Sequence, residues 1–164
     1  MSFSKQERLH ICRQILEQAW SFRHGGEVMA TWFIHGQGQL QIVGTPFVED
    51  VPDVKGLTAQ FVAQMVDDLQ PVEFAIFVSD AWTTMVEPGT DTRHIVPPSQ
   101  SPNRVEAIFV QCWGNKPGQD FCICRRYREL GDGRLGILGE DELSQTDTAT
   151  FAPVVEALRQ SRSN

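Results

Sequence analysis

Val72-Glu73-Phe74-Ala75-Ile76-Phe77-Val78-Ser79-Asp80-Ala81-Trp82-Thr83-Thr84-Met85-Val86 is the stretch from which the fold can be read. Side chains alternate between the two faces of a strand. Val72, Phe74, Ile76, Val78 and Trp82 therefore share one face, and Ala75, Phe77, Ala81 and Met85 share the other. A strand that is apolar on both faces is central to its sheet. Ser79-Asp80 interrupts the run, and the length of the stretch predicts a bulge or bend there.

On the C-terminal side, Arg104–Trp113 and Phe121–Leu130 read as an antiparallel pair turned by Gly114-Asn115-Lys116-Pro117-Gly118. Leu135–Leu138, after Gly131-Asp132-Gly133, reads as a short edge strand. Upstream, Leu57, Phe61, Val62, Met65, Val66 and Leu69 make the apolar face of a helix over Val54–Leu69, closed by Pro71. Before it, Val28–Ile34 and Leu40–Val43 flank the hairpin turn His35-Gly36-Gln37-Gly38. The first helix runs from about Ser4 to Ser21. Ser4 and Glu7 have capping-box spacing, and Leu9, Cys12, Ile15, Leu16, Ala19 and Trp20 form one stripe. Asp147–Arg159 reads as a last helix capped by Asp147 or Thr148, with Pro153 moving its start later.

The order α-β-β-α-β-β-β-(β)-α contains no helical crossover between adjacent strands. It predicts an α+β fold: an antiparallel sheet of about five or six strands, with three helices mainly on one face. The order is similar to that of small acidic secretion-chaperone-like domains, a likeness of order with no motif behind it.

The chain of 164 residues fits a single domain and carries a net charge of −7. That acidity disfavours general nucleic-acid binding, which depends on Lys and Arg displacing counterions. It is compatible with a basic protein partner. No apolar stretch approaches the roughly 20 residues of a membrane span, and the N-terminal residues lack the apolar core of a signal peptide. The expectation is a cytoplasmic protein whose cysteines are thiols. The Pro-rich segment 87–103 is longer than most connections and is read as a mobile or functional loop, and residues 161–164 as a frayed tail.

Candidate functional residues are few. Asp80 breaks an apolar strand, so its carboxylate needs a partner, for which Arg104, Arg125 and Arg126 are the candidates. With His94 it is the candidate catalytic pair. Trp82, Trp113, Arg93 and Arg126 are the candidate binding residues. Trp82 and Trp113 sit near strand ends, although core packing is the commoner role of tryptophan. Arg126 belongs to the basic run Arg125-Arg126-Tyr127-Arg128, in which Arg126 and Arg128 face one side and Arg125 and Tyr127 the other. Cys122 and Cys124 share a strand face. Cys112 could join them as a thiol metal site, against the commoner role of a buried thiol as a small hydrophobe. No zinc pattern, phosphate loop or nucleophile elbow is present, and no cofactor is expected. Two readings follow. One is a binding or assembly module acting through protein contacts, self-association included. The other is a small hydrolase-like enzyme with a pocket around Asp80 and His94.

Overall fold

The computed structural model describes residues 2–45, 54–83, 104–146 and 151–160. Along them run α1 (Lys5–Gly25), β1 (Thr31–Gly36), β2 (Gln39–Gly44), α2 (Val54–Asp68) and β3 (Val72–Thr83). There follow β4 (Val105–Gly114), β5 (Phe121–Glu129), β6 (Leu135–Ile137), β7 (Glu142–Ser144) and α3 (Ala152–Gln160). The strands form one open antiparallel sheet in the order β2-β1-β3-β4-β5, with β6 and β7 both paired to β5. The fold is α+β, as the strand and helix periodicities predict. β7 is an addition: Glu142 lies in an acidic run that reads as surface, yet Glu142–Ser144 pairs with Cys122–Cys124.

β3 lies inside the sheet, between β1 and β4. Its register with β4 runs unbroken from Phe74 opposite Gly114 to Thr83 opposite Val105, so no bulge forms at Ser79-Asp80. The irregularity lies instead between His35 and Gly36, where β1 meets the start of β3. Both faces of β3 are covered. On one, Trp32, Ala75, Phe77 and Trp113 pack with Val62 and Val66 of α2 and Val154 and Leu158 of α3. On the other, Phe74, Ile76, Val78 and Ile108 pack with Cys12, Leu16 and Ala19 of α1. Two helices thus share a face and α1 takes the opposite one, because a sheet apolar on both sides must hide both from water.

The local chemistry follows from the residues. The Glu7 N–H donates to Ser4 Oγ at 3.1 Å, and the Ser4 N–H donates to the Glu7 carboxylate at 2.7 Å, completing the capping box. Those bonds hold the Glu7 carboxyl below its usual range. The β1–β2 hairpin turns on Gln37 and Gly38, at φ 54° and 72°, the two left-handed positions of a type I′ turn. In α2, Val62 and Val66 are buried, but Leu57 and Phe61 of the predicted apolar face are exposed. α3 begins at Ala152, one residue before Pro153, as the missing proline N–H favours. Asp147, Thr148, the 87–103 loop and the 161–164 tail lie outside the described residues.

Candidate functional site

The last turn of α1 meets the sheet where β3, β4 and β5 carry their polar residues. Asp80 stands opposite Ile108, and Glu106 opposite both Trp82 and Tyr127. Asp80, Glu106 and Tyr127 therefore project toward α1. The Tyr127 hydroxyl lies 2.5 Å from a carboxylate oxygen of each acid. Arg23 reaches down from α1, and its Nε–H donates to the Tyr127 oxygen at 2.8 Å. The same guanidinium lies 3.4 Å from Asp80, 3.4 Å from Glu106 and 3.1 Å from Glu129. The partner of Asp80 is thus Arg23 together with Tyr127, not the arginines expected from sequence. Arg104 stacks over the Trp82 ring at 4.5 Å. Arg125 is held by Asp141 and Glu17, and Arg126 by Glu142.

Proton counting fixes how this cluster works. A phenol has one proton to donate and two lone pairs to accept with. Arg23 occupies one lone pair. If Tyr127 donates to Glu106, a second oxygen at 2.5 Å is better tolerated when it brings its own proton. Asp80 is the carboxyl suited to this: burial, more than any other influence, pushes its pKa above the usual carboxylate value. Its Oδ1 is buried with no hydrogen-bond partner among the described residues, which adds to the cost of the charged form.

A folded-state pKa raised above the unfolded one contributes stability that is complete below the unfolded value, near 3.8, and lost as pH rises through the folded value. Asp80→Asn keeps the shape and supplies a permanent donor. It is expected to stabilise the protein at pH 7 by about 0.5–2 kcal/mol, the range of successful single stabilising changes. The gain should fade on acidification toward pH 4, as read by thermal melts across pH. Destabilisation at pH 7 would mean that the charged form of Asp80 is the one the fold needs.

Arg23, Asp80 and Glu106 of this cluster line an open cleft of about 530 Å³, together with Glu27, Trp82 and Glu129. Beside it runs a second depression of about 250 Å³ between α1 and β1, sharing Glu27 and Val28 with the cleft. Ile15, Ala19, Phe22, Val28, Met29 and Phe33 make it apolar. Phe22 is 69% and Met29 59% exposed, unusually open for side chains of that size. An apolar groove therefore continues into an acidic cleft around the end of one helix.

Compared with known protein families, curated proteins and solved structures, the chain matches none.

The remaining sequence candidates separate. Trp113 is fully buried and stacks on Trp32 at 5.6 Å, so it builds the core and is unavailable for binding. Trp82 is 43% exposed at the edge of the cleft. Arg126 lies on the opposite face of β5 from Tyr127, in an ion pair with Glu142. His94 and Arg93 lie outside the described residues. The three thiols do not converge. Cys112 is opposite Phe121, which places it on the α1 face, whereas Cys122 and Cys124 are on the other. Burial raises Cys122 to about 12 and also raises Cys124. Cys112 lies beside Cys12, whose hydrogen bond lowers the Cys112 thiol. Among the described residues, no group of three His, Cys, Asp or Glu side chains could hold a metal ion.

Sequence does not single out Arg23 or Glu106, and it reads Tyr127 only as part of the basic run Arg125-Arg126-Tyr127-Arg128. Nor does it single out Phe22 or Met29. One signal was present for Phe22, which extends the Ile15 and Ala19 stripe by one more helical step. Ending the helix at Ser21 hides it.

Proposed function

We propose that this chain is a single-domain protein-binding module of the cytoplasm, and that its partner presents apolar side chains flanked by a basic residue. The observation that carries the reading is the continuity of the groove with the cleft. Phe22 and Met29 offer unsatisfied apolar surface, and Glu27 and Glu129 place negative charge at one end of it. At the cleft Asp80, Glu106 and Arg23 are bound to one another and to the buried Tyr127 hydroxyl, which supports recognition over turnover. Among the described residues no helix is long and apolar enough to cross a membrane. The four free cysteines fit a reducing compartment.

Selection from a random peptide library against the purified protein tests this. Enriched peptides should combine apolar residues with Lys or Arg. Phe22→Asp should weaken them at least tenfold, or about 1.4 kcal/mol, while the melting temperature stays near that of the parent. Enriched peptides whose affinity ignores Phe22→Asp and Met29→Asp would remove the groove from consideration.

One observation favours the second reading, a small hydrolase-like enzyme: a carboxyl with a raised pKa beside an open cleft. Its test is a hydrolytic activity that Asp80→Asn abolishes in a folded protein.

A further inference from the structure

The sheet has two unlike edges. At one, β5 is covered by β6 and β7, and Arg126 pairs with Glu142 across it. At the other lies β2, which among the described residues pairs only with β1. Proteins blunt open edges with charge, proline, bulges or short strands. Gln39-Leu40-Gln41-Ile42-Val43-Gly44 has no charge and no proline, and its register with β1 is regular throughout. No Asp, Glu, Lys or Arg occurs anywhere from residue 28 to residue 48, in a chain with 21% charged residues. Leu40 and Ile42 are 47% and 62% exposed on the α1 face, beside His35 and Phe33 of β1.

The backbone determines what can dock there. The Thr45 N–H donates to the Ala30 carbonyl of the β1 side at 2.7 Å. Alternation along an antiparallel ladder then turns Gln39, Gln41 and Val43 toward β1 and leaves the N–H and C=O groups of Leu40 and Ile42 pointing out of the sheet. Only another strand matches such a row of donors and acceptors.

We propose that this strand is β2 of a second copy, paired antiparallel about a two-fold axis through Gln41. In that register Leu40 of each copy exchanges both backbone hydrogen bonds with Ile42 of the other. Their side chains then meet on one face, directly opposite, as an aliphatic cross-strand pair. Charge argues for self-pairing. Two copies each carrying −7 repel wherever their acidic surfaces meet, and the β1–β2 hairpin is the uncharged exception. The contact uses the edge of the sheet, not the groove beside α1, so it stands apart from the binding reading above.

Sedimentation equilibrium over a concentration series should give twice the chain mass. Ile42→Lys, at an exposed position that leaves the core intact, should weaken the dimer at least tenfold. Gln41→Cys provides an independent geometric test. Non-hydrogen-bonded partners on antiparallel strands have Cα atoms about 4.5 Å apart, inside the range a disulfide spans. Mild oxidation should therefore link Gln41→Cys chains in pairs but leave Gln39→Cys chains single. The native cysteines are buried and do not compete. A chain that stays monomeric to its solubility limit overturns the proposal. So does a dimer that survives Ile42→Lys and resists the Gln41→Cys link. Peptide binding measured on the same samples shows separately whether the groove reading stands.

Discussion

Trp113→Ala is expected to lower the unfolding free energy by about 3–5 kcal/mol, the usual cost of emptying a large aromatic site in a core. Trp113 is fully buried. It stacks on Trp32 with ring centres 5.6 Å apart and meets the edge of Phe151 at 5.5 Å. Phe151 in turn packs on Trp32 at 5.0 Å and on Phe77 at 4.8 Å. These four rings join β1, β3 and β4 to the residue that precedes α3. Removing one leaves a space its rigid neighbours cannot refill. Hydrogen exchange should show that Val154, Val155 and Leu158 lose protection first, because Phe151 anchors that helix. Trp113→Phe is a sharper comparison. The Trp113 Nε1–H is buried without a hydrogen-bond partner among the described residues, so phenylalanine removes that donor while it shrinks the ring. Its cost should stay below about 1.5 kcal/mol, as for a modest change of core shape. Urea unfolding reads both values, and a Trp113→Ala cost under about 2 kcal/mol would show that the core collapses onto the gap.

The same residue shows how far sequence could reach. Strand periodicity identified β1, β3, β4 and β5, and the capping box identified the start of α1, because those signals are local. Which face Trp113 takes depends on the register between β3 and β4, which pairs it with Ala75. No local pattern specifies that pairing. Cys112 fails to meet Cys122 and Cys124 for the same reason: the turn between β4 and β5 sets Cys112 opposite Phe121. β7 was hidden because its residues look like solvated surface and become a strand only where β5 offers an edge. The bulge expected at Ser79-Asp80 follows from the length of the run and its polar interruption there. In the fold Asp80 stays in register because α1 delivers Arg23 and β5 delivers Tyr127. Those two partners are remote in sequence from Asp80, and sequence pointed instead to arginines on the neighbouring strands.

Tyr127→Phe tests that explanation most directly. The ring is fully buried and its packing against Trp20, at 5.2 Å, survives the change. Only the hydroxyl goes. With it go the contacts to Asp80 and Glu106 and the acceptor for the Arg23 Nε–H. Leaving buried polar groups unsatisfied costs about 1–3 kcal/mol each. The guanidinium still lies 3.4 Å from both carboxylates, which limits the loss. The net effect should be about 2–3 kcal/mol of destabilisation at pH 7, well outside the range of about 0.5 kcal/mol typical of neutral surface changes. The pH dependence separates this from simple loss of packing. Without the hydroxyl between them the two carboxyls face each other with only Arg23 to offset their charge. Protonating Asp80, whose pKa is raised by burial, relieves that repulsion. The deficit of Tyr127→Phe relative to the parent should therefore shrink as pH falls from 7 toward 4. Adding Asp80→Asn to Tyr127→Phe should recover part of the loss at pH 7, and their effects should not add, because the two side chains share one hydrogen-bond network. A deficit that is the same at every pH, with additive effects in the double variant, would mean that Tyr127 contributes only bulk. Asp80 would then need another account of why it sits in an otherwise apolar strand.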